Sequence, residues 1–387
     1  VSPSTPLERL RSANRKSVVA LLAAEGPLSR ADLARATGLS RTTVSTLVAD
    51  LVAAGQVVET NDRGTPHKGG SGRPPLLVSL APGTGVVAGV DLGHRHLRVA
   101  VADLAGTVLG EASDAVDVDA DSDRALDHAS RLVCDLVAGQ GLDLTDLELV
   151  GMCVPAPLDR RSSRINTGIL SGWRDVSPAQ ELGRRLSVPV VADNDANLGA
   201  LAEHARGAAR GSAHAVFVKV ASGVGAGIVL GGRLHRGATG RAGEIGHVQV
   251  GEDGAVCRCG NRGCLETLVT APRLIEVLRP AYDEPLSTER VLELERENDA
   301  GVRRVLNDAG RVVGRALADL CNSLNPEVVV VGGSLGASDG LREGIRSAID
   351  RYAQPDTASA VRVVAAELGP RAELVGALTL AVNRATA

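Results

Sequence analysis

The stretch from Gly243 to Glu266 constrains this chain more than any other, because it sets His247, Cys257, Cys259 and Cys264 within one short loop. Three thiolates and one imidazole complete the tetrahedral shell of Zn²⁺ and leave no open position for water chemistry. The expected site is therefore structural, with one ion per chain. The loop is glycine-rich and has little apolar surface to bury, so a metal would act as its staple. Unrelated reduced cysteines are the plainer reading in an intracellular chain. Cys134, Cys153 and Cys321 are read that way, as small buried residues in apolar runs or at a helix end. The clustering of the other three beside a histidine favours metal.

A chain of 387 residues is ample for two or three domains. Its hydrophobic fraction is 44% but aromatics make up only 1%, so the cores must be built from Val, Leu and Ala. No apolar run approaches the roughly 20 residues that span a bilayer, and no signal-like segment opens the chain. A cytoplasmic protein without membrane contact is expected. Charge is unevenly shared: residues 1–80 hold 10 Lys+Arg against 6 Asp+Glu, and the remaining 307 hold 32 against 40. A basic head on an acidic body suggests an anionic partner for the head alone.

Residues 1–80 form the expected head. Leu10, Val18, Val19, Leu21 and Leu22 recur at helical spacing up to Gly26-Pro27. Ser29 reads as the N-cap of a short helix, Gly38 as a turn, and Ser40 as the cap of a third helix with Val44, Leu47, Val48, Leu51 and Val52 on one face. Ser40, Arg41, Thr42, Thr43, Ser45 and Thr46 place short donors and acceptors at that helix's N-terminus, where a recognition helix meets base edges and phosphates. Two β segments, 56–60 and 75–80, flank a Gly/Pro-rich tip containing His67, Lys68 and Arg73. That pattern is a winged helix-turn-helix, whose wing could place Lys68 and Arg73 on a narrow minor groove. A three-helix protein-docking module is the rival reading.

Residues 81–387 form the expected body. Three short β runs from Val86 precede a helix around Arg124–Val137, and further strands near 149–154, 188–192, 215–221, 224–230, 328–331 and 361–365 alternate with helices. The order implies an α/β protein of two lobes with a cleft, and the opening meander argues against a plain doubly wound sheet. Asn194 and Asp195 follow a strand and open a helix, the place where α/β proteins hold ligands. With Glu244, His247 and Glu266 they form a set of acceptors and donors suited to a sugar ring.

The stretches VPVVADNDANLGAL, ASGVGAGIVLGGRLHRGATGRAGEIGHV, CRCGNRGCLE and VVVVGGSLG make the body resemble the ROK family of sugar kinases and repressors. With its head, the whole chain resembles the family's transcriptional regulators. The resemblance implies an actin-like, hexokinase-type two-lobed fold. It also implies sugar contacts from Asn194, Asp195, Glu244, His247 and Glu266, and zinc ligation by His247, Cys257, Cys259 and Cys264. Asp195 matches the kinases' catalytic base, here vestigial. Asp91 and Gly93 match the first phosphate segment, Gly223, Gly225 and Gly227 the second, and Gly332 and Gly333 the adenosine segment. Two departures stand out. Family kinases read DxGGT where this chain has Asp91-Leu92-Gly93-His94-Arg95-His96, so an imidazole is expected in the space a glycine leaves free, and a hydroxyl is gone. The pair His94-Arg95 could instead attract a phosphorylated sugar. Ile169 replaces an Asn of the kinases' sugar loop, so sugar identity does not carry over.

The expected function is a sugar-responsive transcriptional regulator, most simply a repressor, without kinase activity. Its partners would be double-stranded operator DNA, a sugar or sugar phosphate effector, and further copies of itself in a homodimer or homotetramer. An active kinase with a DNA-binding appendage and a regulator governed by a protein partner are the alternatives.

Overall fold

The computed structural model describes residues 11–386 except 12–13, 16, 20, 23–25, 61–75, 82–84 and 166–169. Lys68, Arg73 and the rest of the wing tip, like Ile169 and Leu10, lie outside the described residues. In the head, helical residues between 11 and 22 bury Val18 and Leu22. Ser29 then caps the helix Arg30–Thr37 reciprocally, accepting from Asp32 N while Asp32 accepts from Ser29 N. Gly38 turns the chain at φ 70°. Ser40 Oγ accepts from Thr43 N at 3.1 Å and opens the helix Arg41–Ala53.

Val44, Leu47, Val48 and Leu51 of that helix are buried, but Val52 is 42% exposed. Val52 was expected on the same face; at 100° per residue it falls on the rim of the stripe that the other four define. Arg41, Thr42 and Thr46 are exposed, and Thr43 and Ser45 half-buried. Val57–Thr60 and Leu77–Leu80 pair antiparallel, as the wing reading requires. The sheet has a third strand, Leu28–Ser29, too short for any periodic signal.

The body repeats one topology twice. In the first lobe the sheet order is Val108–Ala115, His96–Asp103, Val86–Leu92, Leu147–Val154, Val190–Asn194, with the first three antiparallel and the last two joined in parallel. In the second it is Arg233–His235, Val224–Leu230, Ala215–Val220, Val328–Gly332, Arg362–Ala365, with the same pattern of directions. Arg233–His235 went unread because its three residues include none that is buried. Each lobe has its own apolar core, rich in Val, Leu and Ala as the composition demanded.

Two helices occupy the junction between the sheets. Asp195–Arg206 packs on strands Ala215–Val220 and Val224–Leu230 of the second lobe and on the C-terminal helix Ala372–Ala385. The C-terminal helix packs in turn on strands Val86–Leu92 and Leu147–Val154 of the first lobe. These approaches are made backbone to backbone: a Cβ at Gly227 would overlap the Ala196 carbonyl, one at Gly376 the Leu198 carbonyl, and one at Gly151 the Ala377 carbonyl. The apolar core of the head is continuous with this arrangement. Val18, Leu22, Val48 and Leu51 belong to one cluster with Leu374, Leu378, Ala381 and Val382 of the C-terminal helix.

Candidate functional site

Residues from both lobes converge on a cleft of about 70 Å³, lined among others by His94, Asn194, Asp195, Lys219, Gly223, Gly225, Glu244, His247, Arg258 and Glu266. All five side chains expected to meet a sugar are therefore brought together. The space is smaller than the roughly 300–1,000 Å³ of pockets that hold drug-sized ligands.

Strand Val190–Asn194 delivers Asn194 and Asp195 to the cleft. Asn194 is the N-cap: its Oδ1 accepts from Asn197 N at 2.8 Å, and the residue lines the cleft. Asp195 occupies the first helical position, where a carboxylate is favoured by the helix dipole. Its Oδ1 accepts from Ala196 N at 2.8 Å and its Oδ2 from Lys219 Nζ at 2.9 Å. Asp193, one residue earlier, is buried and accepts from Arg236 Nε at 2.6 Å and Asn197 Nδ2 at 2.8 Å.

The cysteine loop docks on the second lobe through Gly243. A Cβ there would overlap the Ala226 carbonyl, and Ala226 N donates to Gly243 O at 2.8 Å. Within the loop, Val250 N donates to Gly263 O and Leu265 N to Val248 O, folding it back on itself. His247, Cys257, Cys259 and Cys264 are thereby assembled with all four ligand atoms within 4.8 Å of one another, a geometry that could hold a metal ion. Cys257 Sγ lies 3.6 Å from His247 Nδ1, and Cys259 Sγ 3.7 Å from Cys264 Sγ. The other imidazole nitrogen, Nε2, is 3.6 Å from Glu244 Oε2 on the cleft side. Glu266 lies between the two groups, its Oε1 3.0 Å from Cys257 Sγ. Burial, and then the negative charges of Asp195 and Glu266, push Glu244 up to about 7.

Sequence reasoning missed three residues of this region. Lys219 bridges Asp195 and Glu373, the latter at 2.8 Å. Glu373 is brought in by the C-terminal helix, about 180 residues away along the chain, so no local pattern could reveal it. His96 is the third, and it adds a second imidazole to the first phosphate segment. His94 lines the cleft and bonds Asp119 at 2.7 Å, while the ring of His96 fills the space over Gly93, where a Cβ would overlap it. Side-chain direction alternates along the strand that begins at His96, and this aims His96 at Asp91. His96 Nε2 donates to Asp91 Oδ2 at 3.0 Å, and Arg98 lies 3.6 Å away. Burial opposes the charge of Asp91, yet the His96 hydrogen bond and the surrounding cations hold its carboxyl below the usual range.

Arg95 does not join His94 at the cleft. Its side chain is 81% exposed and pairs with Asp117, so the pair does not form a phosphate-attracting patch. Among the glycines read as nucleotide contacts, Gly223 and Gly225 do line the cleft. Gly227 is required by the Ala196 carbonyl, Gly332 by the Phe217 ring, and Gly333, at φ 83°, by the Val220 carbonyl.

A two-lobed α/β body with this cleft, carried behind a winged helix-turn-helix, defines a kinase-like sensor joined to a DNA-binding head. The pattern of the ROK family matches residues 87–384, and that of the MarR family residues 12–65. The chain belongs to the ROK family. It is 26% identical to the xylose repressor of Bacillus subtilis over 375 residues, covering 97% of this chain and 96% of that one. With the N-acetylglucosamine repressor of Escherichia coli O157:H7 it shares 27% identity over 390 residues, covering 98% and 94%. Among solved structures, a ROK family transcriptional regulator described as a homologue of the E. coli MLC protein superposes with a TM-score of 0.80 at 25% identity, covering 97% of this chain and 96% of that one. Among the described residues no helix is long and apolar enough to cross a membrane.

Proposed function

We propose that the chain is a sugar-responsive transcriptional repressor, with residues 1–80 binding operator DNA and residues 81–387 binding the effector. The observation that carries this reading is the coexistence, in one chain, of a winged head with an exposed polar recognition helix and a cleft of convergent sugar-type contacts. Relatives matching over the whole length bear the names xylose repressor and N-acetylglucosamine repressor, which supports a carbohydrate effector. The cleft sets the carboxylates of Asp195, Glu244 and Glu266 against Lys219 and Arg258, Lys219 is already engaged by Asp195 and Glu373, and Arg95 faces solvent, so an unphosphorylated sugar suits it better than a sugar phosphate. A sugar that prefers one arrangement of the lobes and head weakens operator binding by its differential affinity for that arrangement. Asp195→Asn should still bind operator but resist release by sugar. Titration of operator complexes with D-xylose, D-glucose and N-acetylglucosamine checks this, and release of the variant at the wild-type sugar concentration would remove Asp195 from the effector site.

The DNA contacts in this reading come from Arg41, Thr42, Thr43, Ser45 and Thr46 in the major groove, with Ser40 capping the helix, and from Lys68 and Arg73 on the wing. A helix-turn-helix dimer reads half-sites about one helical turn apart, so the protein acts as a two-fold homodimer or a homotetramer of such pairs on a near-palindromic site. Arg41→Ala should weaken binding, and Arg73→Ala should do so most at A·T-rich flanks, where the minor groove is narrow. Footprinting across the upstream regions of its own and neighbouring genes checks both; no protection anywhere would count against a DNA role.

Zinc is the metal that suits the His/Cys₃ set. Zn–S bonds of about 2.3 Å at tetrahedral angles place two sulfurs about 3.8 Å apart, close to the 3.7 Å between Cys259 and Cys264. His247 would bind it through Nδ1 and keep Nε2 toward the cleft, so the ion would fix the tautomer and orientation of a sugar contact. One zinc per chain should co-purify, and Cys259→Ser should lose it together with the order of the His247 loop and part of the sugar response. Metal analysis of protein purified without chelator checks the stoichiometry; metal-free, folded wild-type protein would overturn it.

The cleft is not expected to phosphorylate its sugar. Phosphoryl transfer depends on positioned electrostatics. Here His96 covers Gly93 and engages Asp91, Arg95 replaces the phosphate-segment hydroxyl, and the base position Asp195 is held by Lys219. Losing one such contact costs about 10²–10³ in rate, so with several gone, ADP production should not rise with sugar. The assay uses Mg²⁺·ATP with hexoses, pentoses and amino sugars; turnover of about 1 s⁻¹ or more would instead favour the kinase reading.

A further inference from the structure

Lys219 stands on strand Ala215–Val220 of the second lobe, yet its ammonium contacts carboxylates on two separate helices. It lies 2.9 Å from Asp195 Oδ2, in the first turn of Asp195–Arg206, and 2.8 Å from Glu373 Oε1, in the first turn of Ala372–Ala385. The side chains are 18%, 23% and 9% exposed, respectively. Burial opposes the charge on Lys219, but Asp195 and Glu373 outweigh it and hold the ammonium protonated well above the usual range. A buried pair of this kind resists separation, because taking away one partner leaves the other charged and uncompensated.

Asp195 accepts from the Ala196 amide through Oδ1 and from Lys219 through Oδ2, so a sugar hydroxyl that donates to this carboxylate draws on charge that Lys219 already neutralises. A hydroxyl bound to Asp195 would weaken the share of this charge available to Lys219, whose ammonium also holds Glu373 on the other helix. The second helix is well fastened. The Glu203 carboxylate accepts from the amides of Glu367 and Leu368 just ahead of it, Arg98 donates to the Pro370 carbonyl, and Gly376 seats it against the Leu198 carbonyl. Fourteen helical residues span about 21 Å. Toward its far end Leu378, Ala381 and Val382 share one apolar cluster with the head.

We propose that Lys219 is a positioning residue that transmits occupancy of Asp195 to the DNA-binding head, with Glu373 and the helix Ala372–Ala385 as the link. Its biological meaning rests on the effector reading of the cleft; the physical coupling does not depend on which sugar binds.

Hydrogen exchange on the full, ligand-free chain tests it. Glu373→Gln keeps the shape of the side chain and removes the charge, and it should raise amide exchange about tenfold in residues 372–385 and in the head helices 30–37 and 41–53. Helix Ala300–Leu324, in the core of the second lobe, should keep wild-type exchange, and Glu373→Asp should restore the wild-type pattern. A merely structural pair would change exchange near residues 195, 219 and 373 alone, or everywhere at once through lost stability; either result overturns the proposal. Lys219→Met is the harsher variant, and where it does not fold Glu373→Gln decides the matter. Failure of every sugar to bind would sink the effector reading and leave the exchange result intact.

Discussion

The close seating of helix Asp195–Arg206 is the constraint on which the rest of the cleft depends. Gly227 lets the helix backbone touch a strand of the second lobe, and Gly376 lets the C-terminal helix touch it from the other side. Side chains at either glycine would force the helix outward, as overpacking does in any close-packed interior. Asn194 and Asp195 sit at its N-terminus, so their position is set by backbone contacts and not by flexible side chains. The same helix carries Glu203, whose buried carboxylate receives three backbone amides, from Ala208, Glu367 and Leu368. One helix therefore orients the polar groups of the cleft at one end and fixes the approach to the C-terminal helix at the other.

The cysteine loop solves a different problem at the opposite wall. Its backbone turns on Gly243 and Gly263, both at positive φ, and leaves Val256 68% exposed. Such a segment buries little apolar surface and cannot hold a polar side chain in place by packing. The four convergent ligand groups could supply through a metal what packing does not, and the second ring nitrogen of His247 faces Glu244 at the cleft. With the proposed metal bound, rigidity on this wall would be chemical, where on the Asp195 wall it is steric.

The sequence made legible those features whose determinants are neighbours along the chain. Ser29 and Ser40 cap helices within three residues of the groups they satisfy, the strand runs of Val and Ala alternate with amphipathic helices, and the metal-type ligands fall within eighteen positions. The resemblance of four motifs extended this to the five sugar-type contacts, which the cleft does assemble. Lys219 and Glu373 stayed hidden because their meaning lies in a meeting between distant segments. A lone Lys in a β run and a Glu at a helix start are each unremarkable until the fold sets them 2.8 Å apart. The phosphate segment was only partly legible: His96 was in view, but its seat over Gly93 and against Asp91 depends on the pairing of the strand it begins with Val86–Leu92.

Several groups that would serve phosphoryl transfer in a kinase of this fold are here turned to internal use. Asp91 is satisfied by His96 and Arg98, Asp195 by Lys219, and the glycines at 227, 332 and 333 by backbone and ring contacts. These contacts leave the junction helices and the acceptors facing the cleft in place. A catalyst must bind the transition state better than the ground state, whereas a sensor needs only a ground-state complex whose formation differs between two arrangements of the protein. In the proposed reading, a filled phosphate cradle gives up the first property and keeps the second. It also frees the charged side chains of the cleft to bond with the body itself, and one of those bonds reaches the helix that shares a core with the head.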